Sequence, residues 1–304
     1  MAAGKTLIVI VGPTGAGKTD LAVTLAEHFG APVLSADSRQ IYSGLPIGTA
    51  QPDAEQLRRA EHHFIATHHI EEDFNCGAYE QAALALLDRL FTQHDTVIAV
   101  GGSGLYVKAL CDGLDDLPEA SPEIRGRLAQ RLRDEGLDAL AAELQRLDPA
   151  YYGQVDTQNP ARVLRALEVC LAAGRPYSSL RTGAVRKRPF RIVMIGTELD
   201  RRELYDRINR RVDMMMEAGL EAEARAVYPQ RSLNSLQTVG YRELFEYFDG
   251  KITRDEAVEL IKRNTRRYAK RQMTWFRRDA RIAWFPPTHV EEILRHIAKQ
   301  MLSD

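Results

Sequence analysis

The run TLIVIV (Thr6–Val11) passes without a break into GPTGAGKT (Gly12–Thr19). The second stretch matches G-x-x-x-x-G-K-[ST] in full. Gly12, Gly17, Lys18 and Thr19 are the defining residues, with Pro13, Thr14, Gly15 and Ala16 between them. A mostly apolar, β-branched run of this kind reads as a parallel strand buried on both faces. The residues that follow, TDLAVTLAEHF, put Leu21, Ala22, Leu25, Ala26 and Phe29 on one helical face, and Gly30 ends it. Strand, glycine-rich turn and helix together form the context of a phosphate loop. Glycines let backbone N–H groups turn inward around phosphate oxygens, and the helix N-terminus adds partial positive charge. Lys18 reaches the terminal phosphates, and the Thr19 hydroxyl is a candidate Mg²⁺ ligand. A chain that begins this way is constrained to an α/β sheet.

The following segments fit. APVLSAD reads as a strand ending at Asp37, YEQAALALLDRLF (79–91) as a helix, and TVIAV (96–100) as another buried strand. After Gly113 the pattern changes. Ser121 with Pro122, and Asn159 with Pro160, read as caps and first turns of two helices, the second closed by Gly174. FRIVMIGTEL (190–199) is again strand-like, and the last hundred residues read mostly as helices. The expected fold class is α/β, a P-loop NTPase-like parallel sheet core with a helical insertion domain. The core takes 1–114 and 190–304, and the insertion 115–189.

The 304 residues suffice for a large core and a smaller second unit, and a net charge of −1 favours no class of partner. The charge is unevenly spread. Nine Lys or Arg and one acid lie between Lys262 and Arg281, and four basic residues between Arg186 and Arg191. Cys76, Cys111 and Cys170 form no C-x-x-C pair, which argues against a zinc site or a disulfide framework. No apolar run is long enough to span a membrane, so a cytoplasmic protein is expected.

A nucleotide-hydrolysing P-loop enzyme carries a second acid at the tip of an apolar strand, where it supports Mg²⁺. Here TVIAV ends in GGSGLY, with no carboxylate. Asp37, at the end of the other early strand, is the available acid. It reads as a general base or Mg²⁺ partner at a strand end, or as a turn-capping Asp.

GPTGAGKT, DSRQIY, PIGTAQP, GGSGLY, NPARVLRALEV, QTVGYREL and AKRQMTWFR occur in this order from Gly12 to about Arg277. In this the chain resembles the tRNA dimethylallyltransferase family, the tRNA isopentenylating enzymes. The resemblance implies transfer of a prenyl group from dimethylallyl diphosphate to the exocyclic amine of the adenosine just 3′ of the anticodon. It also implies Mg²⁺ as cofactor and the tRNA anticodon stem-loop as partner; a monomer is the expected state. The loop would hold a diphosphate leaving group, so an acid serving a γ-phosphate is not needed. Asp37 matches the catalytic aspartate that accepts the amine proton and, with Thr19, the metal site. Ser103 matches a catalytic hydroxyl position that is often threonine. Arg207 matches the arginine that clamps the diphosphate, with Arg211 the alternative one turn on. Ser38, Arg39 and Gln40 match the segment that lies, with Asp37 and Ser103, against the target nucleotide. Arg125 and ARVLR (Ala161, Arg162, Val163, Leu164 and Arg165) fall at tRNA-contacting positions of the insertion. Gln237, Gly240 and Arg242, then Lys270 and Arg271, fall in two further tRNA-contacting segments.

The chemistry agrees with that assignment. The amine of adenine is a poor nucleophile, so the leaving diphosphate must be neutralised, a base must take the amine proton, and the target base must leave its stack. His62, His63, His68 and His69 lack metal-site spacing. Arg263, Arg267, Lys270 and Thr274 share one face of a helix, which reads as a phosphate-binding face in preference to a solvated one. Three consecutive methionines, Met214 to Met216, suit core filling or contact with a prenyl chain. The rival functions are prenyl transfer to free adenine nucleotides, a nucleotide kinase, and a non-catalytic RNA-binding protein. The insertion and basic helix argue against the first, the arrangement of the arginines against the second, and intact Lys18, Thr19 and Asp37 against the third.

Overall fold

The computed structural model describes residues 4–302. Six parallel strands form one sheet in the order β3-β2-β4-β1-β5-β6. They are β1 (Thr6–Val11), β2 (Val33–Ser35), β3 (His62–His63), β4 (Thr96–Gly101), β5 (Arg191–Thr197) and β6 (Ala283–Phe285). Every residue of β1 is buried, as its β-branched composition requires of a central strand. Its alternation divides the core. Leu7, Val9 and Val11 pack with Tyr79, Leu87, Tyr106 and Leu110 on one face. Ile8 and Ile10 pack with Leu21, Leu25, Ile293 and Ile297 on the other. Helices Cys76–Leu90 and Gly104–Asp112 therefore cover one side, and Lys18–Phe29 and Val290–Leu302 the other.

Register brings the strand ends level: Val11 pairs with both Gly101 and Gly196. The sequence order reverses about β1, since β2 lies beyond β4 while β5 lies on the opposite side. The crevice past the carboxyl ends of strands at such a reversal is where open α/β sheets bind ligands. The same compact unit, residues 1–111 with 187–304, contains a further helical cluster. In it Ile41, Leu45, Val212, Leu220, Leu244 and Ile261 pack around Tyr241.

Residues 112–186 form the second compact unit. Its helices Pro122–Asp134, Gly136–Leu147 and Pro160–Ala173 bury Leu128, Leu140, Leu144, Val163 and Leu167 together. The expected caps are present: Ser121 accepts from Ile124 N, and Asn159 from Arg162 N. The unit lies three residues N-terminal of the 115–189 expected at each end, and Arg188 shows why. Its guanidinium donates to Leu110 O at 2.9 Å and to the Glu80 carboxylate at 2.8 Å, both within the sheet unit.

β3 and β6 are strands of two and three residues that no periodicity marks. β3 turns the first histidine pair into a sheet edge. His62 Nδ1 lies 2.8 Å from Ala60 O, and no cluster of potential metal ligands occurs among the described residues.

Candidate active site

The phosphate loop is fixed from several sides. Gly15 (φ 82°) and Gly17 (φ 76°) sit in the left-handed region that glycine tolerates best. Ala16 between them is buried with Leu204, Ile208 and Ala269. A Cβ on Gly15 would lie 3.1 Å from Ile208 Cγ1. The Thr14 N–H donates to Gln272 Oε1 at 2.9 Å. That amide is therefore engaged, as is the Ala16 N–H, which donates to Pro13 O at 3.3 Å. Lys18 Nζ donates to Pro13 O at 2.7 Å. Burial pulls the Lys18 pKa down to about 8; the Asp37 charge raises it, and Arg211 lowers it further. Burial thus outweighs the nearby Asp37 carboxylate, and an anion seated beside Lys18 would favour its charged form.

Asp37 lies two residues past β2. Its Oδ1 accepts from Arg39 N at 2.9 Å and from Gln40 N at 3.4 Å. It is thus a turn cap, and the cap fixes the carboxylate while leaving Oδ2 outside those bonds. The two readings of Asp37 are compatible in one geometry. Ser103 supports the segment from behind: its Oγ accepts from Ser38 N at 2.9 Å, and its N–H donates to Ala36 O at 3.3 Å. Ser103 does not itself line the cavity, but its side chain is hydrogen-bonded to Tyr268, which does. Gln40 Nε2 donates to Ala50 O at 2.7 Å, and Arg39 Nη1 to Asn234 O at 2.8 Å, which ties the turn to two neighbouring loops.

Between loop and turn lies a cavity of about 410 Å³. Its polar wall includes Thr14, Lys18, Thr19, Asp37, Arg211, Tyr268 and Gln272. Its apolar wall includes Ile208, Val212, Met215, Leu220, Val239 and Ile261. Of the three methionines, Met215 reaches the cavity, Met216 packs in the helical cluster, and Met214 is exposed. Ser38, Arg39, Gln40, Gln237, Gly240, Arg242 and Arg271 complete much of the rim, and His62 also reaches the wall. Burial pushes the Tyr268 hydroxyl up to about 12.

The two arginine candidates lie one turn apart on helix Arg201–Glu217. Arg207 ion-pairs with Glu203 at 3.1 Å and lines a smaller pocket of about 220 Å³ with Gly15, Gly17, Lys18 and Arg211. Arg211 lines both pockets. Burial lowers its pKa, against the opposing charges of Asp20 and Asp37. Arg211 therefore faces both pockets, and Arg207 only the smaller one. Thr19 and Asp37 offer two oxygen donors on one cavity wall, too few for an all-protein cage. They suit Mg²⁺, which takes one or two protein oxygens and completes its shell with phosphate and water.

Outside the cavity, Lys270 is exposed. In the helical unit Arg125, Ala161 and Arg162 are exposed, Leu164 is half-buried, and Arg165 pairs with Glu168 at 3.5 Å. Val163 is 0 % exposed and packs in that unit's core, so it is corrected from an RNA contact to a packing residue. The sequence carried Gln272 within AKRQMTWFR and Tyr268 among the aromatics of the basic helix, but placed neither on the cavity wall. Their signal was the helix periodicity: Ile261, Thr265, Tyr268 and Gln272, at spacings of four, three and four, form the cavity-facing stripe. The stripe that drew notice there, Arg263, Arg267, Lys270 and Thr274, is the exposed one.

Fold and site together define an α/β phosphate-loop protein whose cradle opens onto a carboxylate and an apolar wall. The sequence model of one family, IPP transferase, matches residues 40–279. Relatives agree over nearly the whole length. The tRNA dimethylallyltransferase 1 of Phocaeicola vulgatus is 52% identical over 292 residues, 96% of this chain and 97% of that protein. That of Bacteroides thetaiotaomicron is 51% identical over 98% of this chain and 97% of its own. A crystal structure of full-length tRNA isopentenylpyrophosphate transferase from Bacillus halodurans superposes with a TM-score of 0.72 at 38% identity, covering 98% of this chain and 97% of that one. A eukaryotic dimethylallyltransferase acting on tRNA shares the fold, with a TM-score of 0.78 at 22% identity over 97% of this chain and 77% of that one. The chain belongs to the IPP transferase family and is an enzyme.

Proposed function

We propose that this enzyme transfers a dimethylallyl group from dimethylallyl diphosphate to N6 of the adenosine 3′-adjacent to the anticodon in tRNA, releasing diphosphate. The observation that carries the reading is the single cavity in which Lys18, Asp37 and the apolar residues Val212, Met215 and Leu220 meet. Lys18, the remaining loop amides and Arg211 hold the diphosphate and offset the charge it gains on leaving. The apolar wall receives the five-carbon chain and excludes water from the allylic carbon. As the C–O bond breaks and the C–N bond forms, the Asp37 carboxylate accepts the proton lost from N6. Thr19 and Asp37 would hold Mg²⁺, which when bound supplies further charge neutralisation at the diphosphate. Ser103 and the Arg39 and Gln40 amides keep Asp37 oriented.

Exposed Lys270, with Arg271 at the rim, offers phosphate contacts, as do Arg125 and Arg162 of the helical unit. We assign that unit to the anticodon stem-loop, and a monomer as the catalytic unit. No helix among the described residues is long and apolar enough to cross a membrane, and the cytoplasm, as a site of tRNA modification, is the compartment this reading implies. The test is incubation with labelled dimethylallyl diphosphate and unmodified tRNA, followed by nucleoside analysis. Labelled N6-prenyladenosine is expected. ATP turnover without prenylated adenosine would refute the reading.

A further inference from the structure

Gln272 is 5 % exposed and sits among catalytic elements without a charge or a nucleophile to contribute. Both ends of its amide are engaged. Oε1 accepts from Thr14 N at 2.9 Å, and Nε2 donates to Gly102 O at 2.9 Å. The two bonds fix which end is which, since a flipped amide would set donor against donor and acceptor against acceptor. Thr14 lies in the turn that follows β1, and Gly102 in the turn that follows β4; the last residues of those strands, Val11 and Gly101, pair in the sheet. Gln272 therefore bridges two glycine-rich turns just where the backbone ladder between their strands ends. Gly102 is required for the fit, because a Cβ there would overlap Gln272 Nε2. Among the described residues, no other side chain accepts a hydrogen bond from a backbone N–H of the loop between Gly12 and Thr19.

We propose that Gln272 is a positioning residue for the donor diphosphate: it holds the Thr14 peptide against the β4 turn and so fixes the course of the loop that follows, up to Lys18 and Thr19, before the diphosphate arrives. Loop amides that must be re-aligned on binding cost affinity, whereas a tied loop does not. The helix Arg254–Phe276 carries Gln272 on its inner face and exposes Arg263, Arg267 and Lys270 on its outer face, so loss of the amide is felt by the diphosphate and not by RNA. The inference rests on the diphosphate-cradle part of the proposed function.

Gln272→Met keeps the volume and removes both bonds. Its affinity for inorganic pyrophosphate with Mg²⁺, measured by calorimetry, should fall on the order of 30-fold for two lost hydrogen bonds. KM for dimethylallyl diphosphate should rise in parallel, while the dissociation constant for tRNA and its salt dependence stay within twofold. Gly102→Ala reaches the same bridge from the other side. Gly102 is not in the left-handed region, so its backbone accepts alanine, and the new Cβ displaces Nε2. It should reproduce the loss of pyrophosphate affinity, and it should add little on a Gln272→Ala background, where nothing is left to displace. Unchanged pyrophosphate affinity in Gln272→Met overturns the inference. So does an equal loss of pyrophosphate and tRNA affinity, which makes Gln272 a general packing residue. A parent that binds no pyrophosphate overturns the cradle reading together with the inference.

Discussion

Lys18 carries a cost that the donor should relieve, and the cost can be measured as protons. Burial takes its pKa from the ordinary 10.5 to about 8. At about 1.4 kcal/mol per pH unit, that penalises the ammonium by about 3 kcal/mol, an upper bound because the side chain is only half-buried by area. A diphosphate seated beside it supplies the missing counter-charge and returns the pKa upward. At pH 8.5 the free protein therefore has Lys18 roughly three-quarters neutral, and binding should take up about 0.7 proton; at pH 6.5 Lys18 is already charged and the uptake should be below about 0.1. Calorimetry with a non-reacting thio analogue of dimethylallyl diphosphate, in buffers of different ionisation enthalpy, reads this number directly. Lys18→Met should show none of it. Stability gives an independent reading. A lysine with a depressed pKa binds fewer protons folded than unfolded between pH 8 and 10.5, so ligand-free stability attributable to it rises with pH through that window. Below pH 8 the whole penalty applies. Lys18→Met should then be more stable than the parent at pH 7, by up to about 3 kcal/mol, and the gap should close toward pH 10.5. Equal proton uptake by parent and variant at pH 8.5, together with no stability gain at pH 7, would refute the account of Lys18 as a desolvated anion seat.

Asp37→Asn should bind tRNA and donor normally yet lower single-turnover transfer by about 10²- to 10⁴-fold; a rate within a few-fold of the parent would leave Asp37 only a turn cap, a role Asn fills as well. Arg211→Met should raise the donor KM more than Arg207→Met does, because Arg211 is the desolvated arginine that lines both pockets, and the reverse ranking in steady-state kinetics would return the clamp to Arg207. Neutralising Arg267 and Lys270 together should reduce the salt slope of tRNA binding by about 2, with donor affinity unchanged, and an unaltered slope in filter binding makes this a solvated face. Val163→Ala should destabilise the helical unit by about 1–3 kcal/mol in urea unfolding without altering the salt slope, as a core position must and an RNA contact would not.

Much of the sheet was legible because its central strands are long and buried on both faces. β1, β4 and β5 each run six or seven residues, and their composition alone marks them. The helix caps at Ser121 and Asn159 were legible for a similar reason: a capping side chain acts on a backbone three residues away, so the whole interaction lies within the pattern read. β3 and β6 are too short for a pattern, and they exist because β2 and β5 offer them an edge to pair with. Their cause lies in tertiary structure.

The same division by distance along the chain runs through the site. The cradle residues 12–19 are contiguous, and their spacing carries their chemistry. Asp37 was legible as an acid at a strand end, but its double use was not: the cap on Arg39 and Gln40 that orients the carboxylate appears only as distances. Ser103 was read by motif as part of the chemistry, and its hydrogen bond from Ser38 N, across 65 positions, appears only in the structure. Val163 was carried with its neighbours in ARVLR, where helical periodicity alone would have sent it inward, since Val163, Ala166 and Leu167 share the buried stripe. Gln272 is the extreme case. Its partner Thr14 is 258 positions away, and its residue type announces nothing. What could have found it is helix periodicity: Gln272 falls on the stripe of Ile261, Thr265 and Tyr268 that faces the cavity, where an amide side chain can accept from a loop N–H and donate to a carbonyl at once.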